Sequence, residues 1–157
     1  MSWSPIVLGP GEGEKLLFKT GLMTFKASSA MTGDQFMIAE TELPPGVSVP
    51  PHSHPEAEVF YILRGAFEFR VGDMEQPHVC TEGAIVCVPP HVIHAFQNRL
   101  DSSGKILGMM LPGGGSGLEG FFRQIGVPVR PGDQQPDMNQ PADQLLQDIA
   151  QRRLSIT

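Results

Sequence analysis

Gly46-Val-Ser-Val-Pro-Pro-His52-Ser-His54-Pro-Glu-Ala-Glu58-Val-Phe-Tyr-Ile-Leu-Arg64-Gly65 decides how this chain is read. Its first half places three good metal-binding side chains, His52, His54 and Glu58, within seven residues. Its second half, residues 58–64, is rich in β-branched and aromatic side chains and closes on a glycine, which is the composition of a strand. Beyond Gly65, Ala66-Phe-Glu-Phe-Arg-Val71 alternates up to Gly72-Asp73, a hairpin-type turn. Outward from this pair, short runs bounded by Gly, Pro, Asn or Asp predict strands at 35–43, 76–81, 84–88, 92–98 and 105–111. Even spacing of many short strands implies a sandwich or barrel.

Composition agrees with that pattern. The 157 residues, 40% of them hydrophobic, suffice for the core of one domain. The 18 glycines and 15 prolines, spread between short apolar runs, suit turns between strands better than long helices, so the expected class is all-β. A formal net charge of −6, with Arg152-Arg153 the only basic cluster, offers no footprint for a phosphate backbone or an anionic membrane. The first ten residues lack a basic segment followed by a long apolar one, and no later run approaches a membrane span. The expectation is a cytoplasmic protein whose partner is a small molecule, not nucleic acid or membrane. Cys80 and Cys87 lie in apolar runs without a Cys-x-x-Cys arrangement and read as buried small hydrophobes.

Residues 1–34 hold further strand candidates at 15–19 and 22–26, read as edge or dimer-contact strands. After Pro112-Gly-Gly-Gly-Ser-Gly117 the character changes. A short helix is predicted at 118–125, a Pro, Gly, Gln and Asp-rich extended linker at 127–141, and a final helix at 142–154 with Leu145, Leu146, Ile149 and Leu154 on or near one face. The domain reading is a barrel over 1–111, followed by a Gly/Pro-rich linker and helical tail over 112–157 that packs on the barrel or on a partner.

In an extended segment alternate side chains share a side, so His52 and His54 point the same way, and Glu58 reaches that face from the start of the next strand. His94, in Gly83-Ala-Ile-Val-Cys-Val-Pro89-Pro90-His91-Val-Ile-His94-Ala-Phe-Gln-Asn98, joins them if its strand neighbours this hairpin. Three imidazoles and a carboxylate suit one divalent transition metal ion; ligand type alone does not choose among Fe, Mn, Ni, Co, Cu and Zn. His78 reads as a surface strand residue and His91 as a turn residue. With Glu58 facing inward, Phe60 and Ile62 turn inward as well, and His94 takes Phe96 and Asn98 with it, as the wall of an apolar cavity or as packed core.

These residues resemble the two motifs of the cupin superfamily. G-x5-H-x-H-x3-E-x6-G is matched at all five fixed positions by Gly46, His52, His54, Glu58 and Gly65. G-x5-P-x-G-x2-H-x3-N is matched at four of five by Gly83, Pro89, His94 and Asn98, with His91 where the family usually has glycine. The resemblance implies an antiparallel double-stranded β-helix, the jelly-roll or cupin barrel, with a metal at its mouth on His52, His54, Glu58 and His94. A weaker resemblance to quercetin or flavonol dioxygenase-like cupins implies a metal-dependent dioxygenase. In such an enzyme an enol or flavonol-like substrate gives its hydroxyl proton to Glu58 before dioxygen attacks. The alternatives are a small-molecule-binding cupin without turnover and a sugar or keto-acid isomerase or lyase. Small cupins commonly dimerise through N-terminal strands and outer sheet faces, so a homodimer is also implied.

Overall fold

The structure, a computed structural model, describes residues 3–114 and 117–156. In chain order its elements are β1 (Glu14–Phe18), β2 (Gly21–Ala27), α1 (Ser29–Thr32), β3 (Met37–Leu43), β4 (Ser48–His52), β5 (Ala57–Arg64) and β6 (Ala66–Val71). There follow β7 (His78–Thr81), β8 (Ile85–Val88), β9 (His94–Asn98), β10 (Gly104–Leu111), α2 (Leu118–Ile125), β11 (Val127–Val129) and α3 (Ala142–Leu154). Seven strands form one sheet in the order β11-β1-β2-β3-β10-β5-β8, and four form a second in the order β4-β9-β6-β7. All pairings are antiparallel. The fold is all-β, with the expected short helix at its C-terminal end.

The alternation read in the sequence supplies the core between the sheets. Phe60, Ile62, Val88, Ile106 and Leu43 from the large sheet meet Phe67, Phe69 and Cys80 from the small one. Asn98, fully buried at the end of β9, ties the chain together beneath them. Its amide nitrogen donates to the carbonyls of Leu43 (3.1 Å), Pro44 (3.0 Å) and Ser102 (2.8 Å), and its Oδ1 accepts from Leu100 N–H (3.0 Å).

Several local readings differ from the structure for identifiable reasons. The sequence predicts no strand at residues 48–52, yet β4 forms there despite Pro50 and Pro51 because it lies at a sheet edge, where a missing N–H costs no ladder bond; its register with β9 jumps between Val49 and His52. Strand β7 begins only after Pro77, and β9 only after a turn closed by Val92 N–H on Pro89 O at 3.2 Å. The N-terminal strands are not sheet edges. Strand β1 is flanked by β2 and by β11, a three-residue strand inside the segment expected to be a linker. This position explains the unbroken apolar run Leu16-Leu17-Phe18: Leu16 and Phe18 pack towards α2, and Leu17 packs on the opposite side with Leu145 and Ile149 of α3. Leu146 and Leu154, expected near that helix's apolar face, are 51% and 76% exposed. Cys80 is buried as expected, but Cys87 points outward from edge strand β8 and is exposed.

Replacing Asn98 with alanine leaves buried carbonyls unpaired and is expected to cost about 2–4 kcal/mol, read as a lower urea midpoint with an unchanged slope.

Candidate metal centre

The two sheets and one connecting segment each contribute to a single cluster. His52, the last residue of β4, stands directly opposite His94, the first residue of β9. Glu58 comes from β5 in the other sheet, and His54 from the connection between β4 and β5. One ligand atom from each of the four residues lies within 4.8 Å of all the others. The geometry therefore brings together the four residues singled out in the sequence. His78 and His91 fall outside the cluster: His78 is exposed on β7 and His91 is exposed in the turn before β9.

His91 takes φ 65°, the left-handed conformation a glycine would adopt there, so the turn keeps its shape without the glycine. Its N–H donates to the carbonyl of His54 at 2.8 Å and pins that segment beside β9.

The backbone sets the orientation of two rings by the same device. His52 Nδ1 lies 2.8 Å from the carbonyl of Pro50, and His94 Nδ1 lies 2.9 Å from the carbonyl of Val92, in each case two residues earlier. A carbonyl only accepts, so each Nδ1 carries a proton and each Nε2 is the nitrogen turned towards the cluster. His54 has an acidic neighbour in the equivalent place, with Nδ1 3.3 Å from Glu56 Oε2. Three rings with their outer nitrogens against acceptors, and one carboxylate, form a donor set compatible with a single metal ion.

Glu58 is the electrostatic centre of the cluster. Its Oε2 lies 2.9 Å from His54 Nε2 and 3.2 Å from His94 Nε2. Burial pushes its carboxyl up, but the hydrogen bonds from His54 and His94 outweigh this and hold it below the usual range. The bond to Glu58 raises His54, against the opposing effect of burial, and Glu56 adds to the rise through its charge and its backbone. His52 is lowered, by burial first and by the neighbouring histidines, against the pull of Pro50 O and Glu58.

Beneath the cluster Phe60, Phe69 and Phe96 touch one another, with ring centroids 5.1 to 5.2 Å apart, and Phe60 lies 6.1 Å from the His94 ring. Of the two readings of these inward side chains, the structure has packed core here. They make the floor of the site. Sequence reasoning passed over one residue that touches it, Glu56, because its spacing belongs to neither motif; the only available signal was its position two residues from His54 and two from Glu58.

Residues 39–110 match the family described as the cupin domain. Quercetin 2,3-dioxygenase of Bacillus subtilis (strain 168) is 33% identical over 126 residues, which cover 79% of this chain and 35% of that protein. H2HPP isomerase of Bacillus subtilis is 30% identical over 73 residues, 46% of this chain and 30% of that protein. The chain thus spans about a third of the length of the curated relatives it matches. Among solved structures, an RmlC-like cupin from Shewanella frigidimarina NCIMB 400 superposes with a TM-score of 0.59 at 20% identity, covering 71% of this chain and 95% of the other.

The shifted groups set a pH dependence for the metal-free protein. Glu58, lowered on folding, contributes stability that is present above the ordinary carboxyl value of 4.5 and lost as pH falls through its folded value. His54, raised on folding, contributes stability that is complete below the ordinary 6.5 and lost as pH rises through its folded value. Urea unfolding with a chelator present is expected to show a weaker acid decline in Glu58→Gln than in the parent. The decline on the alkaline side should be weaker in His54→Gln.

Proposed function

Since the chain belongs to the cupin superfamily, we propose that His52, His54, Glu58 and His94 hold one divalent first-row transition metal ion. We propose further that the loaded protein is a dioxygenase acting on a small enol or flavonol-like substrate. The observation that supports the metal reading is the orientation of the rings: Nδ1 of His52 and of His94 is engaged by a backbone carbonyl, which turns each Nε2 towards the cluster as the nitrogen that would bind an ion. The similarity to quercetin 2,3-dioxygenase, 33% over 126 residues that include the whole cluster region, supports the reaction.

When bound, the ion would supply Lewis acidity, which makes a hydroxyl beside a carbonyl easier to deprotonate. The chain supplies the rest. The Glu58 carboxylate can take that hydroxyl proton. His52 and His54 are half-buried whereas His94 is fully buried, so a substrate would reach the cluster from the side away from His94. The aromatic floor of Phe60, Phe69 and Phe96 excludes water from beneath.

A non-redox isomerase is the second reading, favoured by the similarity to H2HPP isomerase. The two separate in one assay. Protein loaded in turn with iron, manganese, nickel, cobalt, copper and zinc is incubated with a panel of flavonols and simpler enols in an oxygen-electrode cell, with the substrate spectrum recorded in parallel. The expected result is oxygen consumption that tracks loss of substrate. In Glu58→Gln this uptake is expected to fall about 100-fold or more while metal is still detected. Spectral change without oxygen uptake supports the isomerase, and neither signal across the panel overturns both readings. Equilibrium dialysis is expected to give one ion per chain, with His94→Ala losing it.

A further inference from the structure

Glu56 is 5% exposed, an unusual setting for a carboxylate. It joins two parts of the molecule. Its Oε1 accepts from the N–H of Leu118, the first residue of α2, at 3.2 Å. Its Oε2 lies 3.3 Å from His54 Nδ1, and these two buried atoms have no hydrogen-bond partner among the described residues. A buried donor and a buried acceptor at that separation answer one another after a small ring rotation, and leaving both unpaired costs more than closing the contact.

The segment after the barrel is shaped around this carboxylate. A Cβ on Gly114 would come 2.6 Å from Glu56 Oε1, and one on Gly117 would collide with the same oxygen. These two glycines leave the space the carboxylate fills. The Leu118 N–H that grips it is one of the unpaired donors at a helix N-terminus, where a negative charge is also favoured.

We propose that Glu56 is the positioning residue of His54. Its carboxylate accepts the Nδ1 proton and holds the neutral ring with Nε2 turned towards the cluster, as the carbonyls of Pro50 and Val92 do for His52 and His94. The carboxylate is itself held by α2, so a segment outside the barrel sets the orientation of one ligand. This inference rests on the metal reading given above.

The experiment uses the full chain with Co2+ and Zn2+ as probes. Competition with a chelator measures Co2+ affinity, the visible spectrum reports ligand geometry, and circular dichroism checks the fold. Glu56→Ala is expected to weaken Co2+ binding by about 10–100-fold and to alter the visible bands. Glu56→Gln, whose single amide oxygen can accept from His54 or from Leu118 but not from both, is expected to recover part of the affinity. In the Zn2+-loaded parent, long-range 15N–1H NMR is expected to show His54 Nδ1 protonated. Glu56→Gln should move that resonance and leave those of His52 and His94 in place. Unchanged affinity and bands in Glu56→Ala, or an unmoved His54 resonance in Glu56→Gln, overturns the inference; if Glu56→Ala does not fold, the resonance decides. Failure of the parent chain to bind Co2+ or Zn2+ would instead overturn the metal reading beneath it.

Discussion

A single carboxylate taken out of water, that of Glu58, sets the terms for the open end of the barrel. It is 8% exposed, on a strand whose neighbouring inward side chains are Phe60 and Ile62. An ionised carboxyl in such surroundings costs several kcal/mol unless donors surround it. The large sheet that carries Glu58 does not supply them. His94 reaches it from the small sheet and His54 from the connection between β4 and β5, so the carboxylate is compensated only when both sheets and the connection are in place. The chemistry of the cluster and the closure of the barrel are thus one requirement.

Strand β9 meets that requirement because it is fixed at both ends. At the mouth, His94 stands opposite His52 across a register that the proline-containing edge strand reaches only through its irregularity. Four residues on, Asn98 gathers the carbonyls of Leu43, Pro44 and Ser102. Between these anchors Phe96 stacks on Phe69 at an interplanar angle of 20°. A shift of β9 by one residue would turn His94 and Asn98 outward together and leave the buried Glu58 without its second donor. Register in this sheet is therefore specified by polar groups at the strand ends as well as by apolar groups in the middle.

The parts of the molecule that were legible in the sequence are those where chemistry and period coincide. Residues 58–71 alternate and end on glycines, and β5 and β6 follow them to within a residue. The helices at 118–125 and 142–154 have the ends expected from their flanking Gly117, Gly126 and Pro141. The four residues of the cluster were legible from their spacing in the two motifs, although the structure brings them together from three strands of two sheets and the β4–β5 connection. What escaped was decided by contacts distant in sequence. Nothing local in Val127-Pro-Val129 indicates a strand; it becomes one because β1 presents an unpaired edge to it. Strand β4 contains two prolines that are harmless only at a sheet edge, and edge position is a property of the assembled sheet. Glu56 was passed over, since its burial depends on Gly114 and Gly117, roughly sixty residues further along the chain.

That last contact bears on how the cluster can vary. His52 and His94 are oriented by main-chain carbonyls, which no substitution of a neighbouring side chain removes. His54 is oriented by a side chain, and that side chain is held by the start of α2. Buried Glu119, next in sequence to Leu118, ties the same helix end to α1 by accepting the Ser29 N–H at 2.8 Å, and Arg123 one turn later bridges it to Glu14, the first residue of β1. A change in how α2 sits on the barrel is thus transmitted to one imidazole and not to the other two. Two rings are fixed by the barrel itself, and the third is open to tuning from outside it, where sequence can change without disturbing strand register.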